Sequence, residues 1–205
     1  MITIEQVVAE AERIGETINL VFEERLVGLI NTLHRIATPL SEAGIEYELI
    51  GGLAVFVHVE EADPEHSMLT RDVDLMVNRS DLERITLLAS THGFRFRHVA
   101  GVDMLTFGQT DSVRNAVHLL FSGEKVRPTY ITSAPPIDPV SKRIYGEEIK
   151  VISVPDLLRM KLTSYRLKDR VHVQVMDSAG LITPEVEAVL PSELQDRLRE
   201  VRDSE

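Results

Sequence analysis

The stretch that decides the fold is YELIGGLAVFVHVEEADPEHSMLTRDVDLMV, from Tyr47 to Val77. Two apolar, strand-like runs flank a polar, acidic gap. The first run ends in Gly51-Gly52, and the second carries Asp72 and Asp74 with one residue between them. Successive side chains of an extended chain point to opposite faces. Val73, Leu75 and Val77 therefore share one face, and Asp72, Asp74 and Met76 share the other. The two carboxylates project together, about 6 to 7 Å apart along the chain. Buried without partners, each would cost several kcal/mol. Arg71 lies on the opposite face and cannot serve both. A divalent cation can, because Mg²⁺ takes one or two carboxylates plus substrate phosphates. Two such ions, about 3.5 to 4 Å apart, clamp the attacking and leaving oxygens of a phosphoryl-type displacement. The glycine pair lets backbone N–H groups come close to a phosphate. A lone D-x-D occurs in many solvated loops, and a lone Gly-Gly says less. The order strand, Gly-Gly, helix, acidic loop, strand with D-x-D is what narrows the reading.

Outward from this stretch, residues 3–43 have apolar side chains at helical spacing: Ile18, Val21, Phe22, Leu26, Leu29, Ile30, Leu33 and Ile36. Gly44 stands where a helix C-cap is expected. Ile45 to Ile50 reads as a strand entering a tight turn. LAVFVHVEE fits strand or helix by pattern, and the preceding Gly-Gly favours a helix folded back on the sheet. Residues 62–68 read as a loop. SDLERITLLASTHGF opens on Ser80 as an N-cap. FRFRHVA, VDMLTFG and NAVHLLFSG are strand candidates, TSAPPIDP an exposed connection, and EEIKVISV a strand. Pro155 suits the first turn of a helix running to about Lys168, and further helix breaks fall at Gly180 and near Pro191. The expected fold class is α+β, as one domain over 1–205: N-terminal helices (1–43), a mixed-sheet core (44–154) and C-terminal helices (155–205).

Composition bounds the function. With 205 residues, 43% hydrophobic and 27% charged, the chain is an ordinary globular one. It has no cysteine, so disulfides and thiolate metal sites are excluded. It has no apolar run of about 18 residues and its start is helical and charged, so a cytoplasmic location without membrane contact is expected. The net charge of −11 argues against an extended nucleic acid held by this chain alone, although RMKLTSYRLKDR is locally basic. His58, His66, His92 and His98 have no zinc-like spacing. No G-x-S-x-G, G-x-G-x-x-G or P-loop is present.

IGGLAV…LTRDVDLMV resembles the signature of the nucleotidyltransferase fold, the DNA polymerase β-like superfamily. The nearer resemblance is to the small bacterial AbiEii-type nucleotidyltransferase toxins, which read G-G-x-A, a helix, then T-x-D-x-D. Here those positions are Gly51, Gly52, Ala54, Thr70, Asp72 and Asp74. A later helix with a Lys, an Arg and a K-D pair matches Lys161, Arg166, Lys168 and Asp169. The resemblance spans residues 45–176. It implies a mixed β-sheet flanked by helices, with Mg²⁺ or Mn²⁺ held by Asp72 and Asp74. It further implies a nucleoside triphosphate against Gly51, Gly52 and Thr70, a phosphate contact from Lys161, and an antitoxin protein as a partner. For Lys161 the alternative is a surface lysine on an amphipathic helix.

The match departs from the family at one position. Many members carry a third carboxylate on a following strand, and this chain has His118 in that slot, in AVHLLFSG. Imidazole suits Mg²⁺ poorly but can take a proton from an attacking hydroxyl near neutral pH. The other reading of His118 is a satisfied strand histidine in a catalytically eroded, nucleotide- or partner-binding module. Asp103 on the preceding strand is a candidate for the missing oxygen ligand if it faces the same side, whereas Asp111 reads as a turn residue. The acceptor hydroxyl stays unidentified.

Overall fold

In the computed structural model, residues 4–68, 70–107, 116–144 and 146–204 are described; Asp111 lies outside them. The first element is one continuous helix, α1 (Ile4–Glu42), rather than several. It ends where the sequence places its cap. Gly44 has φ +65°, its N–H bonds Ser41 O at 3.1 Å, and the Ile45 N–H bonds Leu40 O at 2.9 Å. This is the Schellman pattern, closed by the buried contact partners Leu40 and Ile45.

β1 (Tyr47–Ile50) leads directly into α2 (Gly51–Ala62), as the glycine pair predicts. The acidic gap holds a single 3₁₀ turn at Pro64–His66, before β2 (Val73–Val77). Beyond β2, a 3₁₀ turn at Arg79–Asp81 precedes α3 (Leu82–Thr91). Ser80 is therefore inside that turn and is not the N-cap; Asp81 occupies the cap position without a capping side-chain bond, its carboxylate taken by Arg84. β3 (Phe94–Val99), β4 (Val102–Phe107) and β5 (Val117–Phe121) follow where the alternation puts them.

The Pro-rich connection is less exposed than expected. Ala134 and Pro135 are buried, and Ala134 exchanges backbone bonds with Gly123 and Glu124. It leads into β6 (Val140–Ile144), a strand the pattern did not reveal because Ser141, Lys142 and Arg143 show no apolar alternation. β6 pairs antiparallel with β7 (Glu147–Val151) as a polar edge.

The expected helix after Pro155 is broken in two. α4 (Val154–Ser164) is capped by Ser153 and stops at Tyr165, whose φ of +50° is left-handed; α5 (Leu167–Ser178) then starts in a new direction. α6 (Pro184–Ala188) and α7 (Ser192–Arg202) complete the chain. From α7, Arg197 donates to the last carbonyls of α4, Leu162 O and Thr163 O, at 2.6 and 3.0 Å.

The seven strands of the described residues form one mixed sheet in the order β3-β4-β5-β2-β1-β7-β6. β2 is central, antiparallel to β1 and parallel to β5. Its Val73, Leu75 and Val77 face an apolar layer with Leu49, Val117 and Leu119, all buried. The other face carries Glu48, Asp74 and His118. α2 packs on β1 and β2 and against α4 and α5. Among the described residues no helix is long and apolar enough to cross a membrane.

Candidate active site

The chain leaves β1 through Ile50 in an extended conformation and turns at Gly51, whose φ is +75°. The register pairs Ile50 with Asp74, so the Asp74 side chain lies directly over the Gly51 Cα. A Cβ at Gly51 would come within 2.7 Å of the Asp74 carboxyl carbon. A Cβ at Gly52 would meet Thr70 Oγ1 at 2.7 Å and the His172 ring at 3.4 Å. Both glycines are required by close approach, and Gly51 also by its backbone conformation. The α2 N-terminus has neither a capping side chain nor an acidic residue in its first turn. Its free N–H groups and the helix dipole favour an anion.

Asp74 and His118 are register partners on parallel strands. The His118 Nδ1–H donates to Asp74 Oδ1 at 2.9 Å, and both side chains are about one-fifth exposed. This bond holds the His118 pKa above the ordinary histidine value, with burial opposing it and the charges of Asp74 and Asp72 adding to it. With Nδ1 committed, Nε2 is the atom left to face a ligand. Asp72 is half-buried just before the β2 ladder and has no hydrogen-bond or ion-pair partner among the described residues.

Asp103 does not complete this group. β4 pairs Met104 with His118 and Asp103 with Leu119. Opposite residues of an antiparallel pair share a face, so Asp103 lies on the reverse side of the sheet. There it accepts from Arg79 at 3.1 Å and from His98. Parity across the β4–β5 pairing decided this, and no local pattern could have. His58 is a packing histidine, bonded at 2.8 Å to Ile152 O.

Lys161 is not a surface lysine: it is 5% exposed, in the wall formed where α4 and α5 meet α2. Burial pulls its pKa below the ordinary lysine value, while Asp169 and Asp74 oppose the shift. Its Nζ lies 3.6 Å from Asp169 Oδ1. His172, beside Gly52, was not singled out from the sequence. Burial first, then the Lys161 charge, lowers its pKa to about 4, so it is neutral, and its Nδ1 has no partner among the described residues. Its one signal in the sequence was its place three residues after Asp169, about one turn along α5.

No family model matches the chain, and no curated protein does. Solved structures do. The chain superposes on the antibiotic-resistance factor ANT(2'')-Ia in complex with adenylyl-2''-tobramycin with a TM-score of 0.56 at 12% identity, over 83% of this chain and 97% of that one. An antigenic nucleotidyltransferase-like protein from Paracoccidioides brasiliensis gives 0.52 at 17% identity, covering 88% and 87% of the two chains. The Megavirus polyadenylate synthase gives 0.51 at 10% identity, with 89% of this chain on 39% of that one. The chain has the nucleotidyltransferase fold.

Within the nucleotidyltransferase fold, the residues here suit one kind of cation. Among the described residues no three His, Asp or Glu side chains form a cluster that could hold a metal ion by itself. Asp74 on β2 and Asp72 just before it are hard oxygen donors, and Asp74 lies against a helix N-terminus suited to phosphate. That donor set fits a divalent cation whose other ligands are waters and phosphate oxygens.

Proposed function

We propose that this chain transfers a nucleoside monophosphate from a nucleoside triphosphate to a hydroxyl acceptor. The observation that supports the reading most is the seat of Asp74 on the Gly51 Cα, at the uncapped N-terminus of α2. It brings a metal-binding carboxylate and an anion-binding helix end into contact, which is what a cation-bearing triphosphate needs. Gly51, Gly52 and Thr70 would border the phosphates, and Lys161 would add positive charge from the opposite wall. Mg²⁺ or Mn²⁺, held by Asp72 and Asp74, would neutralise phosphate charge as it builds in the transition state. The acceptor oxygen bonds to the α-phosphorus, the bond from that phosphorus to the bridging oxygen breaks, and pyrophosphate leaves. His118 takes the acceptor proton at Nε2, its ring oriented by the Nδ1–H bond to Asp74. Positioning and charge account for most of such catalysis.

The test is calorimetry of the four nucleoside triphosphates with Mg²⁺ or Mn²⁺, in wild type and Asp74→Ala. Cation-dependent binding that weakens at least ~100-fold in the variant is expected. No binding of any triphosphate would leave the fold without this chemistry. His118 in place of a third carboxylate favours one second reading, an eroded module that binds nucleotide without turnover. Pyrophosphate release with any hydroxyl acceptor would exclude it. Membership of the AbiEii-type toxin branch rests on the G-G-x-A and T-x-D-x-D resemblance. Co-purification of a small antitoxin protein encoded beside this chain would support it.

A further inference from the structure

Away from the acidic pair, a dense group of charges lies at the elbow between α4 and α5. Asp169 is fully buried there. Its carboxylate accepts from Ser164 Oγ at 2.7 Å, from Arg166 Nε at 2.6 Å and Nη2 at 3.2 Å, and from the Arg166 backbone N–H at 3.3 Å. Ser164 is the last residue of α4 and Arg166 flanks the first of α5, so one carboxylate bridges both sides of the left-handed turn at Tyr165. Lys161 Nζ is 3.6 Å away, an ion pair longer than a good hydrogen bond.

An ammonium this deeply buried is costly unless an anion stands beside it. The groups acting on Lys161 are Asp169, Lys168 and Arg166 at the elbow and Asp74 across on β2; it acts in turn on neutral His172. Asp169 is the one carboxylate in ion-pair range of Lys161 among the described residues. Most of its acceptor capacity is used by Arg166 and Ser164, so the Lys161 ammonium keeps N–H donors for a further anion. His172 and Gly52 place the α2 N-terminus on the same side of the wall.

We propose that Asp169 is a positioning residue that keeps the Lys161 ammonium charged and within reach of the Gly51–Asp74 seat before any phosphate arrives. The proposal rests on the nucleotidyl-transfer reading above for the identity of the anion. Arg166 and Ser164 serve by fixing Asp169. Burial would raise the Asp169 pKa, but the bonds from Arg166 and Ser164 and the Lys161 charge outweigh it, so its pKa lies below the ordinary aspartate value. Without that charge, burial, Lys168 and Arg166 all act to discharge Lys161, and Asp74 alone opposes them.

The experiment follows the Lys161 ¹³Cε resonance with pH in the full chain, with no nucleotide present, in wild type, Asp169→Asn and Asp169→Glu; Lys161→Met assigns the signal. The expected midpoint in Asp169→Asn is at least about one pH unit below wild type, with part of the shift recovered in Asp169→Glu. Equal midpoints in wild type and Asp169→Asn would overturn the proposal. Calorimetry with Mg²⁺ and the four nucleoside triphosphates should show at least ~10-fold weaker binding in Asp169→Asn, the loss growing as pH rises from about 6 to 9. If wild type binds no triphosphate while the resonance shifts as expected, the pairing stands and the nucleotide reading falls. If Asp169→Asn does not fold, Ser164→Ala replaces it, since it removes one of the bonds that fix Asp169 and keeps the carboxylate. A Lys161 midpoint below that of wild type supports the proposal; an unchanged midpoint overturns it.

Discussion

Among the described residues the sheet carries two aspartate–histidine pairs, one on each face, and their surroundings are opposite in kind. On one face, His118 bonds Asp74 at 2.9 Å, Asp72 stands nearby without a described partner, and the α2 N-terminus is uncapped. On the other, His98 bonds Asp103, and Arg79 closes the group completely. Arg79 reaches Asp103 at 3.1 Å and Glu124 at 2.7 and 2.9 Å, and its guanidinium lies 3.3 Å from the centroid of the Phe121 ring. The Asp103 charge is thus balanced, and its group joins the turn after β2 to β4 and to the end of β5. The Asp74 charge has no lysine or arginine in ion-pair contact among the described residues. A carboxylate that is satisfied stabilises; one left short of positive charge beside a helix N-terminus is the place the proposed cation and phosphate would complete.

The largest expected effect breaks the seat of the open pair. Gly51→Ala forces a Cβ into the Asp74 carboxyl and strains a left-handed residue. It should cost about 3–4 kcal/mol of stability, read by urea unfolding, and abolish triphosphate binding. Next come the two aspartates themselves. Asp103→Ala should lower stability by only about 1 kcal/mol and leave nucleotide affinity unchanged, because Arg79 keeps Glu124, both freed partners reach water, and the group lies on the reverse face of the sheet. Asp74→Ala should do the reverse, with stability held within about 0.5 kcal/mol and binding lost. Equal behaviour of the two variants would erase the distinction drawn here.

A smaller effect sharpens it. Glu48 lies on the same face as Asp74 but is buried; among the described residues its Oε1 has no partner, and its Oε2 accepts the Asp138 N–H at 3.2 Å. Burial first, then the charges of Asp156 and Asp138, raise its pKa to about 7, against the Asp138 bond that lowers it. The folded chain therefore holds this proton between about pH 4.5 and 7, where the unfolded chain has released it, so stability falls as pH rises through that window. The loss between pH 5 and 7 should be about 1–2 kcal/mol, and Glu48→Gln should remove it. Thermal unfolding across this range checks the sign, because a site carboxylate kept ionised would give no such slope.

Much of the local structure was legible in the residues. Gly44 announced the end of α1, Gly51-Gly52 the entry into α2, and Pro155 the start of α4, because each answers to backbone geometry within a few residues. The two faces of β2 were legible for the same reason. β6 was not, since a polar edge strand carries no alternation, and the break at Tyr165 was not, since no glycine or proline marks it. Ser80 shows the reverse failure, a capping residue displaced by a 3₁₀ turn.

For this protein, the sequence by itself determined the α+β class, the order of elements through residues 47–77, and the division of β2 into a face with Val73, Leu75 and Val77 and a face with Asp74. These follow from period-2 geometry and turn chemistry, which act over a handful of residues. Only the tertiary structure decided that Asp103 faces away, that His118 bonds Asp74, and that Lys161 is buried against Asp169. Each of those depends on register between strands or packing between helices distant in the chain, where the side chain's surroundings come from elsewhere in the sequence.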